Sequence, residues 1–340
     1  MRKRLAWYVH CMRKLTARRL LNFFQLWLSF HLSKALRRPL VWGAPAAIAV
    51  EPTTACNLRC PECPSGLRRF SRPTGKLSFE LYRRMIDEVA PKALYLTLYF
   101  QGEPYLHPQF FELVNYAHRK GLFTITSTNG HFLDAERARH TVESGLDRLI
   151  VSIDGVTQQS YAAYRKEGQL QKVLEGIREI VAWKKKLRSL TPEVVLQFLV
   201  VRPNEHEIPA IRQLAKELGA DRLVLKTAQI YDFEDGSPLI PTIERYSRYR
   251  QLPNGKYAIK NSLKNQCWRM WNGFVMTWDG RLVPCCFDKD AQHQMGQFPQ
   301  QSIAAIWQSP PYRQFRQQLL HARKNIDICR NCSEGLKVWS

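Results

Sequence analysis

Between residues 46 and 228, apolar runs of strand length alternate with segments of helical period six times over, joined by short connections. This rhythm constrains the fold more than any other feature. A strand followed each time by a helical crossover must lie parallel to the next, in an open or barrel-like sheet. The run AAIAVEP (46–52) ends in a polar loop. In LSFELYRRMIDEVA (77–90), Leu81, Met85 and Val89 recur one turn apart beside Tyr82 and Ile86, a helix with one apolar face and Ser78 as its N-cap. ALYLTLYF (93–100) is continuously apolar, as expected of a strand covered on both faces. The pattern then predicts helix near 108–120, strand 122–127, helix 134–144, strand 148–153, helices within 157–187, strand 193–201, helix 206–218 and strand 221–227.

After residue 228 the rhythm fails. Residues 229–262, rich in Pro, Tyr, Asp and charge, read as a bridging linker. Residues 263–340 form a cysteine-bearing region with a turn at Asp279-Gly280 and a helix near 301–322. Four parts are expected: 1–44, 45–228, 229–262 and 263–340. Eight of the nine cysteines fall in two groups, Cys56/Cys60/Cys63 and Cys267/Cys285/Cys286/Cys329/Cys332, which speaks for metal sites in a reducing cytoplasm rather than a disulfide framework. Cys11 has no visible partner.

The net charge is +22, and residues 1–44 hold ten Lys or Arg and no acid. A basic excess suits nucleic acid, anionic lipid, acidic peptides or phosphorylated substrates, and does not choose among them. LLNFFQLWLSFHL (20–32) is too short to span a bilayer, and no small-residue cleavage site marks it as a signal peptide. It reads either as an amphipathic helix on a membrane surface, making the protein membrane-peripheral, or as a helix packed on the protein's own body.

In a barrel-like parallel sheet, functional groups belong on loops at the strands' C-terminal ends. Five polar clusters fall there: the first three cysteines after strand 1, Gln101–Pro104 after strand 2, Ser127–Gly130 after strand 3, Ser152–Gly155 at strand 4 and Arg202–Asn204 after strand 5. Cys56-x3-Cys60-x2-Cys63 on a loop can wrap three thiolates around an iron–sulfur cube. Pro61 and Pro64 would stop helix there and free neighbouring N–H groups to face the sulfides. Three thiolates on four irons leave one iron open for a further ligand. A zinc site completed from elsewhere is the competing reading.

These cysteines after a first strand, Gly102-Glu103-Pro104 after the second, and the six-unit run make residues 46–228 resemble a radical S-adenosylmethionine (SAM) enzyme. The resemblance implies a partial (β/α)6 TIM-like barrel with a small cysteine-rich α+β C-terminal domain. It implies a [4Fe-4S] cluster on Cys56, Cys60 and Cys63, with SAM chelating the open iron. The cluster's electron would split SAM into methionine and a 5′-deoxyadenosyl radical that abstracts hydrogen from substrate. A flavodoxin- or ferredoxin-like donor would supply that electron. Gly102 and Glu103 match a Gly-Gly-Glu-Pro stretch that contacts the methionine amine, with Gln101 replacing the first Gly. Ser127, Asn129 and Ser152 lie where SAM contacts are usual. Arg165 matches a SAM-carboxylate contact, with a solvated helix charge as the other reading. Val201 is placed to touch adenine or to fill core, and Glu62 stands where an aromatic often precedes the third cysteine.

The second group, Cys267-x12-Gly280-x4-Cys285 and Cys329-x2-Cys332, resembles an abbreviated SPASM or twitch extension holding one auxiliary iron–sulfur cluster. A zinc ribbon is its competing reading. The Gly-x4-Cys register gives the ligands as Cys267, Cys285, Cys329 and Cys332, leaving Cys286 a small buried apolar residue. His107, His293 and His321 read as surface or turn residues. The expected activity is modification of a peptide or protein side chain. Dehydrogenation or epimerisation of a sugar-like small molecule is the alternative. A zinc-stabilised nucleic-acid-binding protein is the reading from another class, but no RNA-recognition strand motif or helix-turn-helix signature is present, so no nucleic-acid partner is expected.

Overall fold

A nine-stranded sheet organises the chain, in the order β11-β10-β9-β1-β2-β3-β4-β5-β6. A computed structural model describes residues 2–334, with side chains from Ala6 onward. Met1 and residues 335–340, at the outer ends of the first and last expected segments, lie outside the described residues. The strands β1 Ala47–Val50, β2 Tyr95–Thr97, β3 Phe123–Thr128, β4 Arg148–Ser152, β5 Glu193–Val200 and β6 Arg222–Thr227 all pair in parallel, as the alternation requires. Ile48, Leu96, Thr124, Thr126, Leu149 and Val151 are fully buried beneath the helices. Their neighbours Ala47, Tyr95, Thr97, Ile125, Ser127 and Ile150 are half-buried and, by the period of two, line the inner side.

Local chemistry fixes the elements much as expected. Ser78 caps the helix Phe79–Val89 by accepting from Leu81 N–H, and Tyr82, Met85, Ile86 and Val89 are its buried face. Two elements depart from expectation. Only Tyr95–Thr97 of the apolar run 93–100 pairs as strand, because the chain then turns inward to Gly102, whose φ is +74°. A Cβ there would lie 2.2 Å from the carbonyl oxygen of Thr53, so only glycine allows this approach. The helix expected near 301–322 is two, Ile303–Trp307 and Pro310–Ala322. Pro310 and Pro311 bring no N–H to the ladder, and Ser309 restarts the helix as a cap.

The segment 229–262 bridges the two cysteine regions as packed structure. It carries the hairpin β7 Tyr249–Gln251 and β8 Tyr257–Ile259, and the buried Tyr249 hydroxyl donates to Asn331 Oδ1 at 2.9 Å. The C-terminal region joins the same sheet: β9 Gly273–Met276 pairs in parallel with β1. β10 Arg281–Val283 and β11 Gly296–Gln297 follow antiparallel, with Gly280 turning the expected hairpin at φ +86°.

The basic N-terminal segment is two helices, α1 Arg2–Met12 and α2 Ala17–Leu36, held against the body by polar groups. His10 and Lys14 both reach the buried Asp147 at 2.5 Å. Arg19 donates to the carbonyls of Ala90, Lys120 and Gly121, and Asn22 exchanges hydrogen bonds with Ala44 while also donating to the Lys92 carbonyl. Phe30 packs edge-on to Trp268 and Trp271. The segment is therefore packed on the protein's own body. Asn22→Ala strands a backbone N–H and two carbonyls in the interior, and should cost about 1–3 kcal/mol. Urea-unfolding midpoints check this; an unchanged midpoint means α2 does not contribute to global stability.

Candidate active site

The loop after β1 carries the first thiol group. Leu58 is buried with Val201 and Tyr164, and Arg59 N–H donates to the Lys166 carbonyl at 3.1 Å, so the loop is held from outside. Val201 is thus core. Pro64 does not stop helix but begins one, the single turn Pro64–Leu67, because a missing N–H costs nothing at that position. This turn lies tightly on the cysteines: a Cβ on Gly66 would sit 2.6 Å from the Cys60 nitrogen.

Each thiol has its own polar neighbour from a different strand end. Asn129, after β3, places Nδ2 4.0 Å from Cys56 Sγ and donates to Asn57 Oδ1 at 2.7 Å. Gln101, after β2, places Oε1 4.0 Å from Cys63 Sγ. Arg165, beyond β4, places Nη1 3.8 Å from Cys60 Sγ while its Nε donates to Asp154 Oδ2 at 2.5 Å. A solvated charge does not describe Arg165, whose side chain is 16% exposed. Ser127 and Ser152 lie near the ends of β3 and β4 without reaching the thiols. Glu62 accepts from Tyr231 N–H at 3.0 Å. Gly102 N–H donates to Ser65 Oγ at 2.8 Å, tying the β2 end to the cysteine loop.

Glu103 is 2% exposed and both its oxygens are engaged. Oε1 accepts from Thr128 Oγ1 at 2.7 Å and Tyr105 N–H at 3.2 Å, and Oε2 accepts from Asn129 N–H at 2.7 Å. Burial pushes its carboxyl up to about 7 against the pull of these donors.

The second thiol group gathers around Arg323. This buried side chain donates to Cys332 Sγ at 3.5 Å and to the carbonyls of Lys264 and Gln266, and it lies in electrostatic reach of Cys267, Cys329 and Cys332. Its Nε is buried with no hydrogen-bond partner. Cys285 is electrostatically close to Cys267 and Cys329, and Cys286 to Cys332; Cys286 also packs with Val275, Val283 and Ala291, 3.9 Å from Arg269 Nη1. Both adjacent cysteines line a cavity of about 240 Å³ with Ala49, Thr97, Arg269 and Glu334. The histidines stand apart from both groups: His107 meets the Leu77 carbonyl, His293 meets Asp327 and His321 meets the Arg37 carbonyl. His107 is buried in its turn rather than on the surface.

These donor sets fit iron–sulfur clusters. Burial pushes Cys56 up to about 11, Cys329 to about 11 and Cys267 to about 12, so the bare thiols hold their protons at neutral pH and ligation must displace them. Among the described residues no three His, Cys, Asp or Glu side chains converge on a single ion. Thiolates on a cube bind separate irons, and a guanidinium beside each group offsets the charge such a centre brings. Sequence reasoning missed Arg323, a lone arginine six residues before Cys329, and Ser65; no local signal distinguishes either.

The raised Glu103 carboxyl sets a pH dependence. Between about 4.5 and 7 the folded state holds a proton that the unfolded state has released, so this group's contribution to stability falls as pH rises through that window. In cluster-free protein, Glu103→Gln should flatten stability from pH 5 to 7 relative to the parent, read by thermal or urea unfolding at several pH values. Parallel profiles for the two proteins would count against it.

Residues 50–215 match the family model of the radical SAM superfamily, and 267–333 match an iron–sulfur cluster-binding (SPASM) domain. An AdoMet-dependent heme synthase of Methanosarcina barkeri is 34% identical over 52% of this chain and 49% of its own length, so the chain spans about half of that relative. A PqqA peptide cyclase of Gluconobacter oxydans is 29% identical over 87% of this chain and 84% of its own. Among solved structures, Streptococcus suis SuiB bound to S-adenosylmethionine superposes with a TM-score of 0.62 at 10% identity, over 85% of this chain and 72% of SuiB. These matches set aside the zinc-stabilised nucleic-acid-binding reading. The family implies a [4Fe-4S] cluster and SAM at the first thiol group and auxiliary iron–sulfur chemistry at the second. The chain thus carries a radical SAM domain over residues 50–215 and a SPASM domain over 267–333 that continues its sheet.

Proposed function

We propose that this enzyme cleaves SAM reductively and modifies a peptide or protein side chain held between its two thiol groups. One observation carries the reading. Lys289 lies in electrostatic reach of both Cys63 and Cys286, so one lysine stands near both thiol groups. Arg269 touches Cys286 and Lys226 and Arg248 lie in its electrostatic reach, a basic environment suited to an acidic segment of a peptide. The kinship with a peptide cyclase along most of the chain supports this substrate class.

When bound, the first cluster supplies the electron that turns SAM into a hydrogen-abstracting radical, and a flavodoxin- or ferredoxin-like donor delivers it. The chain's own residues prepare the ground. Cys56, Cys60 and Cys63 hold the SAM-binding cluster, and Cys267, Cys285, Cys329 and Cys332 hold the auxiliary one. Arg165, fixed by Asp154, presents its remaining guanidinium edge to a carboxylate, the geometry that suits SAM's methionine end. Gly102 lets the β2 end approach the loop after β1, and Glu103 holds Asn129 beside Cys56. Ser127 and Ser152 offer hydroxyls on the inner side for the nucleoside. The working division is a core over 45–228, a bridge over 229–262 and an auxiliary region over 263–340.

Replacing Cys56, Cys60 and Cys63 together with Ala should abolish 5′-deoxyadenosine formation and leave the auxiliary iron in place. Unchanged SAM cleavage refutes the assignment. Substrate class is read by incubating the enzyme with candidate acidic peptides, where a mass loss of two hydrogens supports the proposal. Oxidation of a sugar-like alcohol with the peptides untouched would replace it.

The register of the adjacent cysteines gives a separate test. Cys285→Ala should lose the auxiliary iron and Cys286→Ala should keep it, measured as iron per chain after anaerobic reconstitution. Iron loss that tracks Cys286 redraws the ligand set.

A further inference from the structure

Helix α2 is turned the wrong way round for a helix whose outer face meets only water. Its inward face mixes the buried Leu26 and Phe30 with four polar residues, Arg19, Asn22, Ser29 and Ser33, which are buried and hydrogen-bonded to the body or to the helix itself. Four further large apolar residues point out: Leu20 is 51% exposed, Leu21 59%, Phe24 55% and Trp27 45%. Phe24 and Trp27 stack on each other with ring centroids 6.1 Å apart, one turn along the helix, and make a continuous ridge. A solvated helix places such residues inward, so an outward ridge marks a surface that something apolar covers.

The charge around the ridge says what covers it. Arg13 and Arg18 are exposed at its start, Arg37 and Arg38 at its end, and no acid occurs before Glu51. A second copy of the chain would bring the same cations against themselves. An anionic bilayer answers both features at once, with acyl chains for the ridge and headgroup charge for the arginines. No helix among the described residues is long and apolar enough to cross a membrane, so the contact lies in the interface. We infer that the outward face of α2 docks the enzyme on an anionic lipid surface, with Phe24 and Trp27 inserted at headgroup depth. The inference does not rest on the proposed reaction, because Phe24 and Trp27 are not among the side chains placed at the thiol groups.

Flotation of the full, cluster-loaded chain with phosphatidylcholine vesicles, with and without phosphatidylglycerol, tests it. The parent should float with the anionic vesicles at low salt and bind roughly tenfold more weakly at high salt, as screening shortens the reach of the arginines. Phe24→Ser with Trp27→Ser should weaken partition roughly tenfold or more, leaving iron content and SAM cleavage unchanged. If that pair misfolds, Arg37→Gln with Arg38→Gln tests the charge arm alone, and should bring anionic binding toward that on neutral vesicles. Equal partition of parent and folded variants overturns the inference, as does binding that ignores phosphatidylglycerol. A dimer of the parent that the ridge variant splits, with no vesicle binding, assigns the face to a second copy instead.

Discussion

A single carboxylate buried where three strand ends meet sets the geometry of the site. Glu103 takes a hydroxyl and an N–H from the end of β3, while its own N–H donates to the Ala55 carbonyl in the loop after β1. Asn129, positioned by that bond, turns its amide to Asn57 and Cys56. The first cysteine is thereby tied through one hydrogen-bonded chain to β1, β2 and β3. Buried networks of this kind are worth keeping only when every member is satisfied, because a stranded partner costs its full desolvation. Gly102 belongs to the same device, since any side chain there would force the β2 end off the cysteine loop.

Electrostatics completes what geometry begins. Both thiol groups are desolvated, which favours the protonated thiol, and both contain a buried guanidinium, which favours the thiolate. Neither Arg165 nor Arg323 would be at ease in an apolar interior without an anion nearby. Asp154 satisfies one edge of Arg165, and backbone carbonyls satisfy part of Arg323. What is left over points at sulfur. The sites are thus prepared for centres that carry negative charge once ligated.

The chain's two ends finish the barrel. At one side β9 lies so close to β1 that a Cβ on Gly273 would meet the Ala47 carbonyl oxygen at 1.6 Å, so the auxiliary region is built onto the core rather than tethered to it. At the other, α1 and α2 seal the loops before β2, β3 and β4 through Arg19, Asn22 and Asp147, and Trp271 donates to the Leu40 carbonyl to lock the following turn. Using polar residues for this internal contact is what leaves the aromatic side of α2 on the outside.

The sequence by itself determined the number of β–α units and their parallel order, the cysteine loop after β1, the Ser78 cap and the hairpin at Asp279-Gly280. All of these follow from local periods, spacings and turn chemistry within a few residues. Tertiary structure alone decided that Arg165 is buried at Cys60, that Arg323 sits among three thiols, and that α2 faces its polar side inward. It also shortened β2 and put β9 beside β1. The reason is physical: a side chain's burial and partners depend on residues far away in the chain. Arg323 and Cys267 are 56 positions apart in sequence yet share one desolvated space. No period or spacing around either residue carries that information, because only the packing of the folded chain brings them together.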